Sequence, residues 1–304
     1  MYRCKSCASA YLDPRPTPET IGLAYQRYFT HDKAPISSSL SYLGKLRRKL
    51  ANGYRNYRYG TREYPAYPLG IIAATLMPNR RATIDAGMRH LAKAKTGKRL
   101  LDLGCGNGEF LLRARSAGWD VVGVDFDSKA VEAARSQGLN ALLGGVESLD
   151  PSIDKFDVIT LANVIEHLHQ VVEVLQACYN LLKPGGYLWL ETPNIDSFGH
   201  RRFAHHWRGL EPPRHLVIFN WNSLETLLLQ SGFRLEHRFP RTDDFPNLAA
   251  KSRAIKAGTD PYKHKISLLD KVIGPGARLM TNIDSHNSEF VTILAVKSST
   301  MNED

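Results

Sequence analysis

Three groups of residues in this 304-residue chain have the types and spacing to do chemistry. Gly104, Gly106 and Gly108 lie in the run from Asp102 to Gly108, Asp-Leu-Gly-Cys-Gly-Asn-Gly, and a second acid, Asp125, follows 23 residues after Asp102. Glycine lets a backbone turn sharply and approach a ligand with no Cβ in the way. An acid at that separation, closing the next strand, is placed to accept hydrogen bonds from two ribose hydroxyls. The second group is Ala162 to His169, which holds the adjacent Glu166 and His167, and the third is Trp207 to Leu216, which holds His215. Carboxylates and imidazoles near the carboxyl ends of strands in an open α/β sheet are candidate proton acceptors.

The elements that must position these groups read as alternating strands and helices. Arg99–Leu103 is an apolar run that enters the glycine turn, Glu109–Ala117 reads as a helix, and Val121–Val124 is a second strand ending at Asp125. Ser128–Gln137 is a helix, Asn140–Leu143 a third strand, Phe156–Leu161 a fourth, and Val171–Leu182 a helix ending at Lys183-Pro184-Gly185-Gly186. Tyr187–Glu191 is a fifth strand. Asn222–Gln230 reads as a helix with Asn222 and Glu225 spaced as a capping box, and Phe233–Pro240 and Phe290–Lys297 supply two last strands. A dinucleotide fingerprint needs a glycine where Glu109 stands, and a carboxylate there repels a pyrophosphate.

The loop from Asp102 to Gly108 resembles motif I of the class I S-adenosylmethionine (SAM) methyltransferases. The resemblance runs from about residue 98 to 240 and resumes at 289–297. It implies an α/β, seven-stranded Rossmann-like fold whose last strand inserts antiparallel between the fifth and sixth. It also implies SAM as cofactor, with Asp102, Gly104, Cys105, Gly106 and Gly108 around its methionine part and Asp125 and Phe126 at the nucleoside. Val146 and Glu147 fall at the adenine, and the Asn163 backbone faces the SAM amino group. Glu166 and His167 match a Glu-His loop near the transferred methyl. The Thr192-Pro193-Asn194 segment through Trp207 to His215-Leu216 matches the stretch that lines the substrate side in a small-molecule branch, and His215 is the first choice for general base. The alternative for Glu166 and His167 is a helix cap or a link to the sheet, and for His215 a bond that fixes its loop.

Apolar content of 43% and charged content of 23% fit a globular protein, and Tyr67–Met77, the longest apolar run of the front third, is too short to span a bilayer. No basic-then-apolar leader opens the sequence. Four cysteines argue against a disulfide scaffold and for a cytoplasmic setting. Residues 1–98 hold 18 Lys/Arg against 5 Asp/Glu, and residues 99–304 hold 22 against 25, so a charge of +13 in front and −3 behind make up the net +10. Such a field suggests an anionic partner: a phosphate-bearing substrate, a membrane surface or nucleic acid.

Residues 1–97 therefore read as a basic N-terminal extension and 98–304 as the methyltransferase domain, with a helical insertion at about 241–288. Cys4 and Cys7 resemble the second knuckle of a zinc ribbon found ahead of one branch of bacterial SAM methyltransferases. They are half a site, so no bound metal is expected. Leu40, Leu43, Leu46, Leu50, Tyr54 and Tyr57 form an apolar helical stripe with basic residues off it. The stripe reads as a lipid contact at the inner membrane surface, a lid over the substrate, or a helix packed on the domain. A second helix is expected over about Arg80 to Lys95. His200, Arg201, Arg202, His205 and His206 read as an anion site rather than a metal site, with no carboxylate or thiolate at ligand spacing.

The acceptor is less legible. No Asn/Asp-Pro-Pro-Tyr/Phe follows the fourth strand, which argues against methylation of base amines, and no Pro-Cys pairing supports attack on a pyrimidine ring. The expected function is methyl transfer to a small-molecule, glycan or lipid-linked acceptor, favouring oxygen. RNA modification and non-catalytic SAM binding are the alternatives.

Overall fold

The computed structural model describes residues 1–25, 41–241 and 245–298. A short hairpin of β1 (Tyr2–Arg3) and β2 (Ala10–Tyr11) precedes three helices, α1 (Tyr42–Tyr59), α2 (Gly70–Leu76) and α3 (Pro78–Gly87). An alternating stretch follows: β3 (Arg99–Leu103), α4 (Glu109–Ser116), β4 (Asp120–Asp125), α5 (Ser128–Arg135), β5 (Asn140–Leu143), β6 (Phe156–Ala162), α6 (Val171–Leu181) and β7 (Leu182–Pro193). The rest comprises α7 (Phe198–Phe203), β8 (Val217–Ile218), α8 (Trp221–Gln230), β9 (Phe233–Arg238), α9 (Phe245–Lys256), α10 (Leu268–Ile283) and β10 (Phe290–Lys297). The main sheet has the order β5-β4-β3-β6-β7-β10-β9, and a small one has the order β1-β2-β8. β10 is antiparallel to both β7 and β9, as the Rossmann-like methyltransferase fold requires.

The chain forms two compact units, one of residues 29–160 and 180–186, the other of residues 1–28, 161–179 and 187–304. In the first, β3, β4 and β5 pair in parallel, and each strand exits toward a loop that carries expected site residues. Leu100, Val121 and Ala141 from these strands pack with Leu111 and Ala114 of α4 and Val131 and Ala134 of α5. The apolar positions of α4 and α5 recur at three- and four-residue steps, which places them on one helix face. α1 brings Tyr54 and Tyr59 into the same core, and both hydroxyls donate to Asp85 of α3. α1 and α2 approach closely because Gly53 and Gly70 lack side chains: a Cβ at Gly53 would meet the Tyr67 carbonyl at 1.8 Å, and one at Gly70 the Leu50 carbonyl at 1.9 Å.

Asp157 on β6 ties this unit together at its other end, accepting from Lys98 Nζ at 2.6 Å, Lys183 Nζ at 2.8 Å and the Arg99 amide at 2.9 Å. Burial pushes its carboxyl up, but the bonds from Lys183, Lys98 and Arg99 outweigh that and hold it below the usual range. The stabilisation is therefore present above about pH 4 and is lost as pH falls through the lowered folded pKa. Both lysines are about two-fifths exposed, and screening limits the gain. Asp157→Asn is expected to cost about 1 kcal/mol in urea unfolding at pH 6 and progressively less as the pH falls through the lowered folded pKa.

In the second unit, Ala10, Ile195, Trp207 and Ile218 form one small core, and Phe245, Ala249 and Ala277 form another with Phe198 and Ile273 beside it. The stretch between β9 and β10 holds α9 and α10, which are joined by Arg253 and Asp270.

Four expectations need correction. The helix expected over 80–95 ends at Gly87, and Arg89 and His90 have left-handed backbones. The cap of α8 is Asn220 with Ser223, two residues earlier than expected, while Glu225 is buried and pairs with Arg238. β7 begins at Leu182, so the Lys-Pro-Gly-Gly segment belongs to the strand. Along α1 the buried aromatics are Tyr54, as expected, and Tyr59, whereas Tyr57 and Leu43 are exposed; Leu40 lies outside the described residues.

Candidate active site

The residues expected at the cofactor, Asn163 excepted, come first and lie within the first unit. β3 delivers Asp102 fully buried, and the chain then turns through Gly104 (φ 70°), Gly106 (φ 53°) and Gly108 (φ 83°). These left-handed conformations are strained for residues with a Cβ. The amides of Gly104 and Cys105 donate to the Val124 carbonyl, which binds the loop to the end of β4. Asp125 at that end accepts from the Gly106 amide at 2.8 Å through Oδ2 and from the Asp127 amide at 2.9 Å through Oδ1. Loop and Asp125 are thus one hydrogen-bonded piece.

The loop leaves room for a ligand. Nothing lies within 4 Å of where a Cβ on Gly106 would stand, whereas one on Gly108 would meet Leu139 Cδ1 at 2.3 Å. Gly106 faces open space and Gly108 seats the loop on the domain. Phe126, next to Asp125, is 60% exposed, a large apolar ring available for a base to cover. Val146 opens a short helical turn after β5, and Glu147 Oε1 accepts from the Gly145 amide at 2.7 Å. Burial pushes the Cys105 thiol far up, so it remains a protonated packing group. The residues present fit a nucleoside-bearing cofactor.

Arg89 is the residue that sequence reading missed. Its left-handed backbone directs the guanidinium onto Asp102 Oδ1 and to Thr160 Oγ1 at 2.7 Å, and Thr160 itself donates to Asp102 at 2.9 Å. The guanidinium also lies 3.7 Å from the centroid of the Phe110 ring. Burial pushes the Asp102 carboxyl up while Arg89 and Thr160 pull it down, and the net direction is up. Its Oδ2 is buried with no hydrogen-bond partner. The available signal was the buried acid itself, which requires a cation, but nothing in the spacing identifies which arginine supplies it.

The remaining expected residues lie in the second unit. Asn163 has a left-handed backbone (φ 53°), a conformation that Asn tolerates. Its amide donates to the Glu191 carbonyl at 2.8 Å. Three residues on, Glu166 is fully buried: Oε2 accepts from the Thr192 hydroxyl at 2.9 Å, and Oε1 has no partner. Burial raises its carboxyl to about 8.

His215 reaches this place from a distant loop. The Leu216 amide donates to the Glu166 carbonyl at 2.8 Å, and β8 then pairs with β2. The His167 and His215 rings meet edge to face, with centroids 4.7 Å apart. His215 Nδ1 lies 2.8 Å from the Gly209 carbonyl and His167 Nδ1 lies 3.0 Å from the Arg214 carbonyl and from the Tyr25 hydroxyl. A carbonyl only accepts, so each Nδ1 carries the proton and each Nε2 carries the lone pair. Burial, reinforced by His167, lowers His215 to about 3, and burial lowers His167 also. Both rings are neutral at physiological pH, always able to accept a hydrogen bond but weak as bases. Glu211, held by Arg208 and Arg214, places Oε2 3.7 Å from His215 Nε2.

The histidine-rich segment 200–206 does not join this cluster. His200 packs on Trp207, and His205 and His206 stack on each other.

A family model described as a methyltransferase domain matches residues 78–238, more than half of the chain. The ubiquinone biosynthesis O-methyltransferase of Bordetella avium (strain 197N) is 33% identical over 114 residues, covering 35% of this chain and 47% of that protein. The protein of the same name from Pectobacterium atrosepticum is 34% identical over 116 residues, with the same two coverages. The chain spans about half the length of the curated relatives it matches. A chain in the complex between the Haloferax volcanii Trm112 methyltransferase activator and a methyltransferase is similar in fold, with a TM-score of 0.50 at 17% identity over 74% of this chain and 94% of that one. With the sheet order, the glycine loop tied to Asp125 and the family match in agreement, the chain belongs to the methyltransferase-domain family.

Proposed function

We propose that this methyltransferase acts on a hydroxyl of a small-molecule acceptor, a class that includes glycans and lipid-linked precursors. SAM supplies an electrophilic methyl on a sulfonium with a neutral thioether as leaving group, so the protein's task is to align the pair and to expose the nucleophile. Asp102, Gly104, Cys105, Gly106 and Gly108 hold the methionine part, and Asp125, Phe126, Val146 and Glu147 the nucleoside. The observation that carries the oxygen assignment is the Glu166–His167–His215 cluster, where two neutral imidazoles and a carboxyl are gathered to receive a hydroxyl. The name of the O-methyltransferase relatives supports the same choice.

The test is a screen of acceptor pools with methyl-labelled SAM. Label is expected in a hydroxylated small-molecule or lipid fraction. Label in RNA with steep salt dependence would instead favour the nucleic-acid reading, and label in no pool would leave a SAM-binding protein without turnover. His215→Ala and His167→Ala are each expected to keep SAM affinity within about twofold and to lose about 100-fold or more in turnover. Normal turnover in both would reject the cluster.

A second contact is proposed for the front of the chain. Among the described residues no helix is long and apolar enough to cross a membrane. Even so, the exposed Leu43 and Met77 line an open groove of about 500 Å³ between α1, α2 and α3 together with Arg47, Arg48 and Arg80. Apolar side chains ringed by cations suit an anionic lipid surface. Co-sedimentation with anionic but not neutral vesicles would support this contact.

A further inference from the structure

We propose that Glu166, His167 and His215 bind a divalent first-row transition-metal ion, leaving coordination positions open for the acceptor oxygen. One ligand atom from each residue lies within 4.8 Å of the other two, the one such group among the described residues. The spacing along the chain hides it: Glu166 and His167 are adjacent, but His215 arrives through the Leu216 backbone bond to Glu166. For this reason no metal is expected from sequence alone.

Two observations beyond proximity point to a cation. Glu166 is fully buried, and its Oε1 has no partner, an arrangement that costs free energy unless something occupies the site. Both imidazoles are arranged as metal-ligating histidines commonly are, with Nδ1–H tied to a backbone carbonyl and Nε2 left as the donor of a lone pair. Thr192 does the same for the carboxylate by donating to Oε2. The ligating groups are thus already oriented by an outer layer of hydrogen bonds. A contraction to about 3.4 Å between ligand atoms reaches the spacing of a tetrahedral zinc site.

The donor set narrows the ion. Two imidazole nitrogens and one carboxylate oxygen suit Zn²⁺, Mn²⁺, Fe²⁺ or Co²⁺ better than Mg²⁺ or Ca²⁺, which favour oxygen. Three protein ligands with an open position mark a catalytic rather than a structural site. On the reading that the acceptor is a hydroxyl, the ion takes the hydroxyl oxygen, lowers its pKa, and its proton leaves to water. The oxygen lone pair then forms the O–CH₃ bond as the S–CH₃ bond breaks, and that bond's electron pair stays on sulfur.

The test uses the full chain with Cys4→Ser and Cys7→Ser, which removes the other cluster of soft ligands. Co²⁺ is titrated by visible absorption, and Zn²⁺ by equilibrium dialysis. One ion per chain is expected, with His215→Ala and Glu166→Gln each weakening binding at least 100-fold while circular dichroism stays unchanged. Chelated protein should bind SAM normally in calorimetry but lose turnover, with recovery on adding Zn²⁺, Mn²⁺ or Co²⁺. No binding, or binding indifferent to both substitutions, overturns the metal site. If turnover survives chelation, the methyltransferase reading stands and the metal role falls. If the ion binds but SAM does not, the cofactor reading fails and the metal site survives.

Discussion

Asp125→Ala is expected to abolish SAM binding, measured by calorimetry, and to leave the fold intact by circular dichroism. A carboxylate that accepts from two ribose hydroxyls makes two charge-assisted hydrogen bonds, each worth about 1.5–3 kcal/mol. Their joint loss corresponds to roughly 10²–10⁴ in affinity. The same substitution removes the acceptor of the Gly106 and Asp127 amides, so the loop also loses the contact that holds its open face in shape. Asp125→Asn retains one acceptor oxygen and should bind between the two. Unchanged affinity in the alanine variant would remove Asp125 from the cofactor site.

Arg89→Met is expected to cost about 3–5 kcal/mol in urea unfolding, the loss that follows when one partner of a buried ion pair is deleted. Methionine fills much of the volume over the Phe110 ring, so the cost falls on Asp102, which would be left with Thr160 alone in a fully buried position. Adding Asp102→Asn to that variant should recover part of the loss, because a neutral amide carries no buried charge. A single variant within about 1 kcal/mol of the wild type would mean that Asp102 is already protonated beside Arg89, in line with the upward pull of burial on its carboxyl.

How much of this was legible depended on whether the determinant was local. β3, β5 and β10 have the bounds that apolar patterning predicts, and β10 lies where the fold family places it. These strands are short, apolar and flanked by glycine or charge, so tertiary context reinforces local preference. The helix expected to run to Lys95 failed because Arg89 leaves helical geometry to reach Asp102, a demand made by a residue 13 positions away. The α8 cap slipped because Glu225 has a better use in pairing with Arg238 than in closing a capping box. At the site, the glycine loop and Asp125 were readable because both belong to one βαβ unit. The meeting of His215 with Glu166 and His167 was not, since it depends on a two-residue strand and a single backbone hydrogen bond.

That two-residue strand has a further consequence. β8 pairs with β2, the Leu12 amide donates to the Leu216 carbonyl, and the turn at Cys4–Ser9 closes the hairpin above it. Cys7 on that turn is exposed, while Cys105 and Cys178 are buried and protonated. A thiol-reactive fluorophore therefore attaches to the hairpin and spares the interior. The strand that follows His215 is paired beneath the dye, so the amino-terminal cysteine is a native reporter position for rearrangements that disturb that pairing.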